Sequence, residues 1–139
     1  MTSECAALLA KGGFIQIGQW EIDSETGEAF IAGDISKEPG VYAHLLNGRV
    51  VYVGSAQRGL RGRMRRYATS KTMRTSQRVR EAAAEALRDG AVIEVWAHTP
   101  SGVPHWLDGL PIDLVTGLED GLIKHLRPEW NRRGLGKMK

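Results

Sequence analysis

Residues 40–54 read GVYAHLLNGRVVYVG. Two runs of β-branched and aromatic residues flank Asn47-Gly48, the strongest short-range signal for a β-hairpin. Two registers compete. A two-residue Asn-Gly turn pairs Leu46 with Arg49 and puts Tyr42 and Tyr52 on opposite faces. A three-residue loop over 46–48, with Gly48 left-handed in a bulge, pairs Leu45 with Arg49, Tyr42 with Tyr52 and Gly40 with Gly54. One face then carries Val41, Ala43, Leu45, Val51 and Val53. The other carries Tyr42, His44, Val50 and Tyr52 between two glycines. A one-residue slip exchanges the faces of one strand, and the second register gives the cleaner apolar face, so it is the one expected. Two adjacent tyrosines are read either as a cross-strand aromatic pair or as a surface that glycines leave open to close approach.

Working outward, residues 59–69 form a helix with Leu60, Met64 and Tyr67 on one stripe. Thr75 or Ser76 is the expected cap of a second helix running to Asp89, with Gly90 as its stop. Residues 91–98 alternate as a strand. Residues 99–111 hold three prolines and read as a loop. Asp113 to Arg127 reads as a last helix, with Leu114, Leu118, Leu122 and Leu126 as its buried stripe and Pro128 as its end. Upstream, residues 12–38 promise one or two short strands. Residues 1–38 are therefore expected to be an N-terminal extension packed on a core domain spanning 39–139.

The chain has 139 residues, 42% hydrophobic and 25% charged, which is an ordinary globular mix of about one domain. Its single cysteine, Cys5, excludes an intramolecular disulfide and any CxxC zinc site. No apolar run approaches the 18 or so residues that would cross a bilayer, and residues 1–11 lack the basic start of a signal peptide. The expected setting is cytoplasmic, away from membranes. There is no Walker loop, GxSxG or HExxH, which leaves little support for a small-molecule enzyme.

The net charge is only +3, but it is unevenly spread. Residues 58–80 carry nine basic and no acidic side chains, whereas 1–57 sum to −4 and 81–139 to −2. Such a run is either a solvated helix face or the footprint of a polyanion. In the second case Arg58, Arg61, Arg65, Arg66, Lys71, Arg74 and Arg78 are candidates to track a nucleic-acid backbone, with binding that weakens as salt rises.

Taken together, these residues resemble the GIY-YIG nuclease superfamily. The first signature matches Gly40-Val41-Tyr42 and the second Tyr52-Val53-Gly54. A helical arginine and an aromatic one turn later match Arg63 and Tyr67; Arg61 is a second candidate arginine, and Arg63 is preferred because i and i+4 share a helix face. The late glutamate and asparagine match Glu119 and Asn131, within Leu118-Glu119 and Pro128-Glu129-Trp130-Asn131. The resemblance covers 40–69 and 114–134; residues 70–98 agree in element order alone. It implies an α/β (α+β) fold, a small antiparallel or mixed sheet flanked by helices.

The resemblance also implies a divalent-metal-dependent endonuclease using Mg²⁺ or Mn²⁺, acting on nucleic acid, DNA in the first instance. Glu119 would ligate the metal, since a hard cation that keeps its waters can be held by one carboxylate and a substrate phosphate. Arg63 would clamp the phosphate, because its planar fork matches two phosphate oxygens. Tyr42 and Tyr52 would bind and activate water, with either taking the proton, although a phenol titrates about three units above working pH unless nearby charge lowers it. Tyr67 would bond the nucleophile or the phosphate, and Asn131 would hold Glu119 or the hairpin in place. His44, Gly54 and Ser55 would border the cleft. One departure stands out: Ser55-Ala56-Gln57 is neutral where some members carry a basic residue. Little chain is left for an added specificity domain, so specificity would come from 1–38, the 99–112 loop, a homodimer or a partner protein. The rival reading is a binding module with this fold and little activity. Trp106 is the one tryptophan considered for base stacking; Trp96 and Trp130 are expected in the core, and His98, His105 and His125 are expected to be structural.

Overall fold

The computed structural model describes residues 3–100 and 105–131. In chain order these form α1 (Glu4–Lys11), β1 (Ile15–Ile22), β2 (Ala29–Ala32), β3 (Gly40–Leu46), β4 (Arg49–Ala56), α2 (Leu60–Thr69), α3 (Arg74–Arg88), β5 (Ile93–His98), β6 (His105–Leu107), β7 (Leu110–Ile112) and α4 (Leu114–Leu126). The main sheet runs β2-β1-β5-β3-β4, with each neighbouring pair antiparallel. The α+β expectation is met. Residues 1–38 supply α1 and two of the five strands, and β1 pairs directly with β5.

Helices cover both faces. On one, α2 and α3 bury Leu60, Met64, Tyr67, Val79 and Ala83 against Trp20, Tyr42, Tyr52, Ile93 and Val95. On the other, Ala6 and Leu9 of α1 and Ile123 of α4 pack on Val41, Ala43, Leu45, Val50 and Val53. The alternation of β3 makes this division possible: successive residues enter opposite cores, so Val41, Tyr42, Ala43, His44 and Leu45 are all buried.

The hairpin closes differently from the expected register. Leu46 lies opposite Arg49, and Asn47 (φ 50°) and Gly48 (φ 84°) make a two-residue turn with both central residues left-handed, the geometry that Asn-Gly favours. Both tyrosines nevertheless share a face. The register shifts between His44 and Leu45, so Leu45 pairs with Val50, His44 with Tyr52 and Tyr42 with Gly54. Val51 is the extra residue of a β-bulge, and one added residue restores the face that the turn alone would have reversed. Tyr42 and Tyr52 are thus diagonal neighbours, and Val50 sits with Leu45 in the opposite core.

Three smaller expectations are also corrected. The 105–112 part of the expected loop is a hairpin, turning on Asp108 (φ 50°) and Gly109 (φ 84°). In α3 neither Thr75 nor Ser76 is the cap: the helix starts at Arg74 after Met73, with no side-chain cap. In α4 the fully buried residues are Glu119 and Ile123, while Leu118, Leu122 and Leu126 are half-buried at the core's edge.

Candidate active site

β4 is an edge strand of the sheet, and α2 and α3 come to it from one face and α4 from the other. Between them lies a cleft of about 700 Å³ lined by Tyr42, Tyr52, Ser55, Arg63, Glu119 and Asn131, with Met73, Arg74, Thr75 and Arg78 on its far wall. Five of the six residues expected to carry chemistry therefore meet in one place. The sixth, Tyr67, is fully buried and does not line the cleft.

Tyr67 is hydrogen-bonded to Tyr42. Their hydroxyl oxygens are 2.6 Å apart in a buried hydrogen bond. Arg63 Nε donates to the same Tyr42 oxygen at 3.1 Å, and the Arg63 guanidinium carbon stands 5.0 Å from the centre of the Tyr67 ring. Gly54 is required here: a Cβ at that position would lie 2.6 Å from both Cζ and the hydroxyl oxygen of Tyr42. Burial raises the pKa of Tyr42, and Tyr52 adds to this; Arg63 and the hydrogen bonds pull it down without reversing the shift. Tyr67 is raised too, again chiefly by burial. The expected lowering of the Tyr42 pKa by Arg63 is real in direction but is outweighed by desolvation. Burial works against the charge of Arg63 as well, yet Tyr42 and Tyr67 more than offset this, and its pKa is raised.

His44 sits behind the tyrosines rather than on the cleft wall. It is fully buried, and its ring lies 5.3–5.6 Å from those of Tyr42, Tyr52 and Tyr67. Trp20 Nε1 donates to His44 Nδ1 at 3.2 Å, which leaves the proton of the neutral ring on Nε2. That Nε2 has no hydrogen-bond partner among the described residues. Burial first, and the nearby Arg63 second, push the His44 pKa down to about 3.

Glu119 is the one carboxylate lining the cleft, and it is only 7% exposed. Ser55 Oγ, at the end of β4, donates to its Oε1 at 2.8 Å. Just beyond, Gln57 Nε2 donates to Thr116 Oγ1 at 3.0 Å and so ties β4 to the start of α4. Asp113 caps that helix, accepting from the amides of Val115 and Thr116.

Asn131 is hydrogen-bonded to the hairpin strand β4. Its Oδ1 accepts from Val53 N–H and its Nδ2 donates to Val53 C=O, both at 2.8 Å. Trp130 N–H donates to Val51 C=O at 2.8 Å. Residues 130–131 thus pair along the free edge of β4, satisfying groups that an edge strand otherwise exposes. Arg78 anchors the segment from α3 by donating to the Trp130 carbonyl at 2.6 Å.

The basic run divides. Arg63, Arg74 and Arg78 face the cleft. Arg61 and Arg65 instead border a different, smaller cavity beside Asp34, and Arg61 Nε donates to the Ile35 carbonyl at 2.8 Å. Arg58, Arg66 and Lys71 are exposed and line neither cavity. Trp106 is 62% exposed on β6; Trp96 and Trp130 are half-buried against the two cores. His98 makes a hydrogen bond with the Gly13 carbonyl, and His125 is exposed. Two site residues escaped the sequence reading. Thr75 on the cleft wall and Ser76 beside Arg63 are read from sequence only as alternative caps of α3. No helix of the described residues is long and apolar enough to cross a membrane.

No family model matches the chain, and no curated protein matches it. Among solved structures it is similar to a glutamate-to-alanine mutant of bacteriophage T4 EndoII, with a TM-score of 0.71 and 22% identity over 90% of this chain and 96% of that one. It is also similar to the restriction endonuclease HPY188I in complex with product DNA, with a TM-score of 0.51 and 14% identity over 85% of this chain and 75% of that one. Both likenesses are of fold, and they agree with the α+β architecture expected from the sequence.

Proposed function

We propose that this chain is a divalent-cation-dependent endonuclease that hydrolyses phosphodiester bonds in DNA, with the cleft beside β4 as its active site. One observation carries the reading: Tyr42, Tyr52, Arg63, Glu119 and Asn131, separated by up to 89 positions in sequence, line a single cleft. The likeness of the fold to an endonuclease solved with product DNA supports the choice of substrate.

The residues fit a hard cation of the Mg²⁺ type. Glu119 offers one nearly buried carboxylate, oriented by Ser55, and no cluster of three or more acidic, His or Cys ligands exists among the described residues. That donor set suits an ion that keeps its waters and shares a substrate phosphate, and it does not suit a closed structural cage. When bound, Mg²⁺ or Mn²⁺ supplies Lewis-acid stabilisation of charge on the phosphoryl oxygens and the leaving oxygen.

The remaining work falls to the chain. Arg63, fixed by Tyr42 and Ser76, presents its guanidinium to the scissile phosphate and stabilises the charge that builds there. Tyr42 and Tyr52 hold the attacking water in line; buried Tyr42 stays a phenol and acts by hydrogen bonding, its oxygen set by Arg63 and Tyr67. Arg74 and Arg78 receive flanking phosphates. Asn131 keeps β4 straight at Val53, between Tyr52 and Gly54.

The test is cleavage of labelled duplex, nicked, branched and single-stranded DNA, with RNA counterparts, in Mg²⁺, Mn²⁺ or EDTA. Metal-dependent cuts in DNA support the reading. Salt-sensitive binding without cleavage at any metal concentration would replace it with a binding module of the same fold.

A further inference from the structure

Arg63 is clamped on three sides before any ligand arrives. Nε donates to Tyr42 on β3, Nη1 donates to Ser76 Oγ on α3 at 3.2 Å, and the guanidinium lies beside the Tyr67 ring. Of its five N–H groups, two are thereby committed inward among the described residues, and the other three are on the side of the cleft that Arg63 lines. Tyr42 alone would fix one edge of the guanidinium and leave it free to swing about that bond. A second anchor from a different element fixes the plane.

Ser76 is that anchor. It is fully buried on the first turn of α3, and it is the only polar residue buried on that helix. The cap position is occupied by Met73, so the hydroxyl is not needed to cap the helix. A buried hydroxyl is costly without a partner, and its partner here is the cation of the site.

We propose that Ser76 is a positioning residue for Arg63: its hydroxyl, together with that of Tyr42, sets the guanidinium plane so that the three remaining donors face a phosphate in the cleft. The phosphate part of this rests on the endonuclease reading; the Ser76–Arg63 coupling does not. Such an anchor acts on orientation. Its loss lowers kcat while leaving KM nearly unchanged, because misorientation weakens interactions made in the transition state more than those made in the ground state.

The test uses the full chain and two readouts. In NMR, the Arg63 Nε–Hε signal, assigned by its absence from Arg63→Lys, is expected to be sharp with distinct Nη environments. In Ser76→Ala it is expected to broaden and the Nη environments to merge. In kinetics, Ser76→Ala is expected to lower kcat about tenfold, the worth of one hydrogen bond, with KM within about twofold. Ser76→Cys, similar in volume but a weaker acceptor, falls between, and serves in place of the alanine variant should that fail to fold. Adding Ser76→Ala to Arg63→Lys is expected to cause no further loss. An unchanged Arg63 signal and kcat in Ser76→Ala, or an equal further loss in the Arg63→Lys background, overturns the proposal. A wild-type chain that cleaves nothing overturns the endonuclease reading, and the Arg63 signals then decide the Ser76 assignment by themselves.

Discussion

The phenol of Tyr42 occupies the space where a side chain at Gly54 would begin: a Cβ there would lie 2.6 Å from its hydroxyl oxygen. The glycine of the second signature and the tyrosine of the first are cross-strand partners, so the two signatures are halves of one packing arrangement. Gly54→Ala is expected to displace the Tyr42 hydroxyl from Arg63 and Tyr67. The strain is expected to cost about 1–3 kcal/mol, as overpacking a tight core does. Thermal unfolding and cleavage measured together check this, with both expected to fall.

Asn131 satisfies both backbone groups of Val53. Asn131→Ala leaves a buried donor and acceptor without partners and is expected to destabilise the fold by about 2 kcal/mol. Asn131→Asp keeps an acceptor for the amide but sets a second oxygen against the Val53 carbonyl, so it is expected to be no better than alanine. Urea denaturation of the three proteins measures the order.

His44 gives a pH signature. Its pKa is pushed down to about 3 in the fold by burial from the ordinary value of about 6.5. Below pH 6.5 the unfolded chain takes up a proton that the folded chain refuses. Stability is therefore full above about 6.5 and is lost as pH falls toward 3, with a slope approaching about 1.4 kcal/mol per pH unit. Unfolding midpoints between pH 8 and pH 4 are expected to show this slope in the wild type, and His44→Gln is expected to flatten it.

Much of this was legible beforehand. Tyr42, Tyr52, Arg63, Glu119 and Asn131 could be picked out through the resemblance of residues 40–69 and 114–134 to a nuclease family; by local pattern alone the two tyrosines suit a cross-strand pair and Glu119 a solvated helix face equally well. The turn was misjudged because the bulge at Val51, which pairs Tyr52 with His44, has no local sequence mark. Ser76 was misread because Ser near a helix start suits a cap equally well, and only tertiary packing turns it toward Arg63. The 105–112 hairpin did carry its own Asp-Gly turn signal, but the surrounding prolines overrode it.

The arginines should separate by position. Arg74 and Arg78 line the cleft, whereas Arg61 is bonded to the Ile35 carbonyl beside another cavity. Arg74→Ala is expected to weaken DNA binding and to reduce the slope of log affinity against log salt by about one. Arg61→Ala is expected to leave that slope unchanged and to lower stability. Fluorescence anisotropy across a salt series distinguishes them.

On the proposed function, the Glu119 carboxylate gives the cleft its metal-dependent chemistry. Glu119→Gln keeps the shape of the side chain and an oxygen for Ser55 to bond, and exchanges the charge and one acceptor oxygen for a neutral amide. The direct measurement is the rate of DNA cleavage by wild type and Glu119→Gln across a Mn²⁺ titration, with folding checked by thermal unfolding. The account predicts metal-dependent cleavage by the wild type and a loss of at least about a hundredfold in the variant, equivalent to about 2.7 kcal/mol of transition-state stabilisation. A folded Glu119→Gln that cuts DNA as fast as the wild type would contradict it.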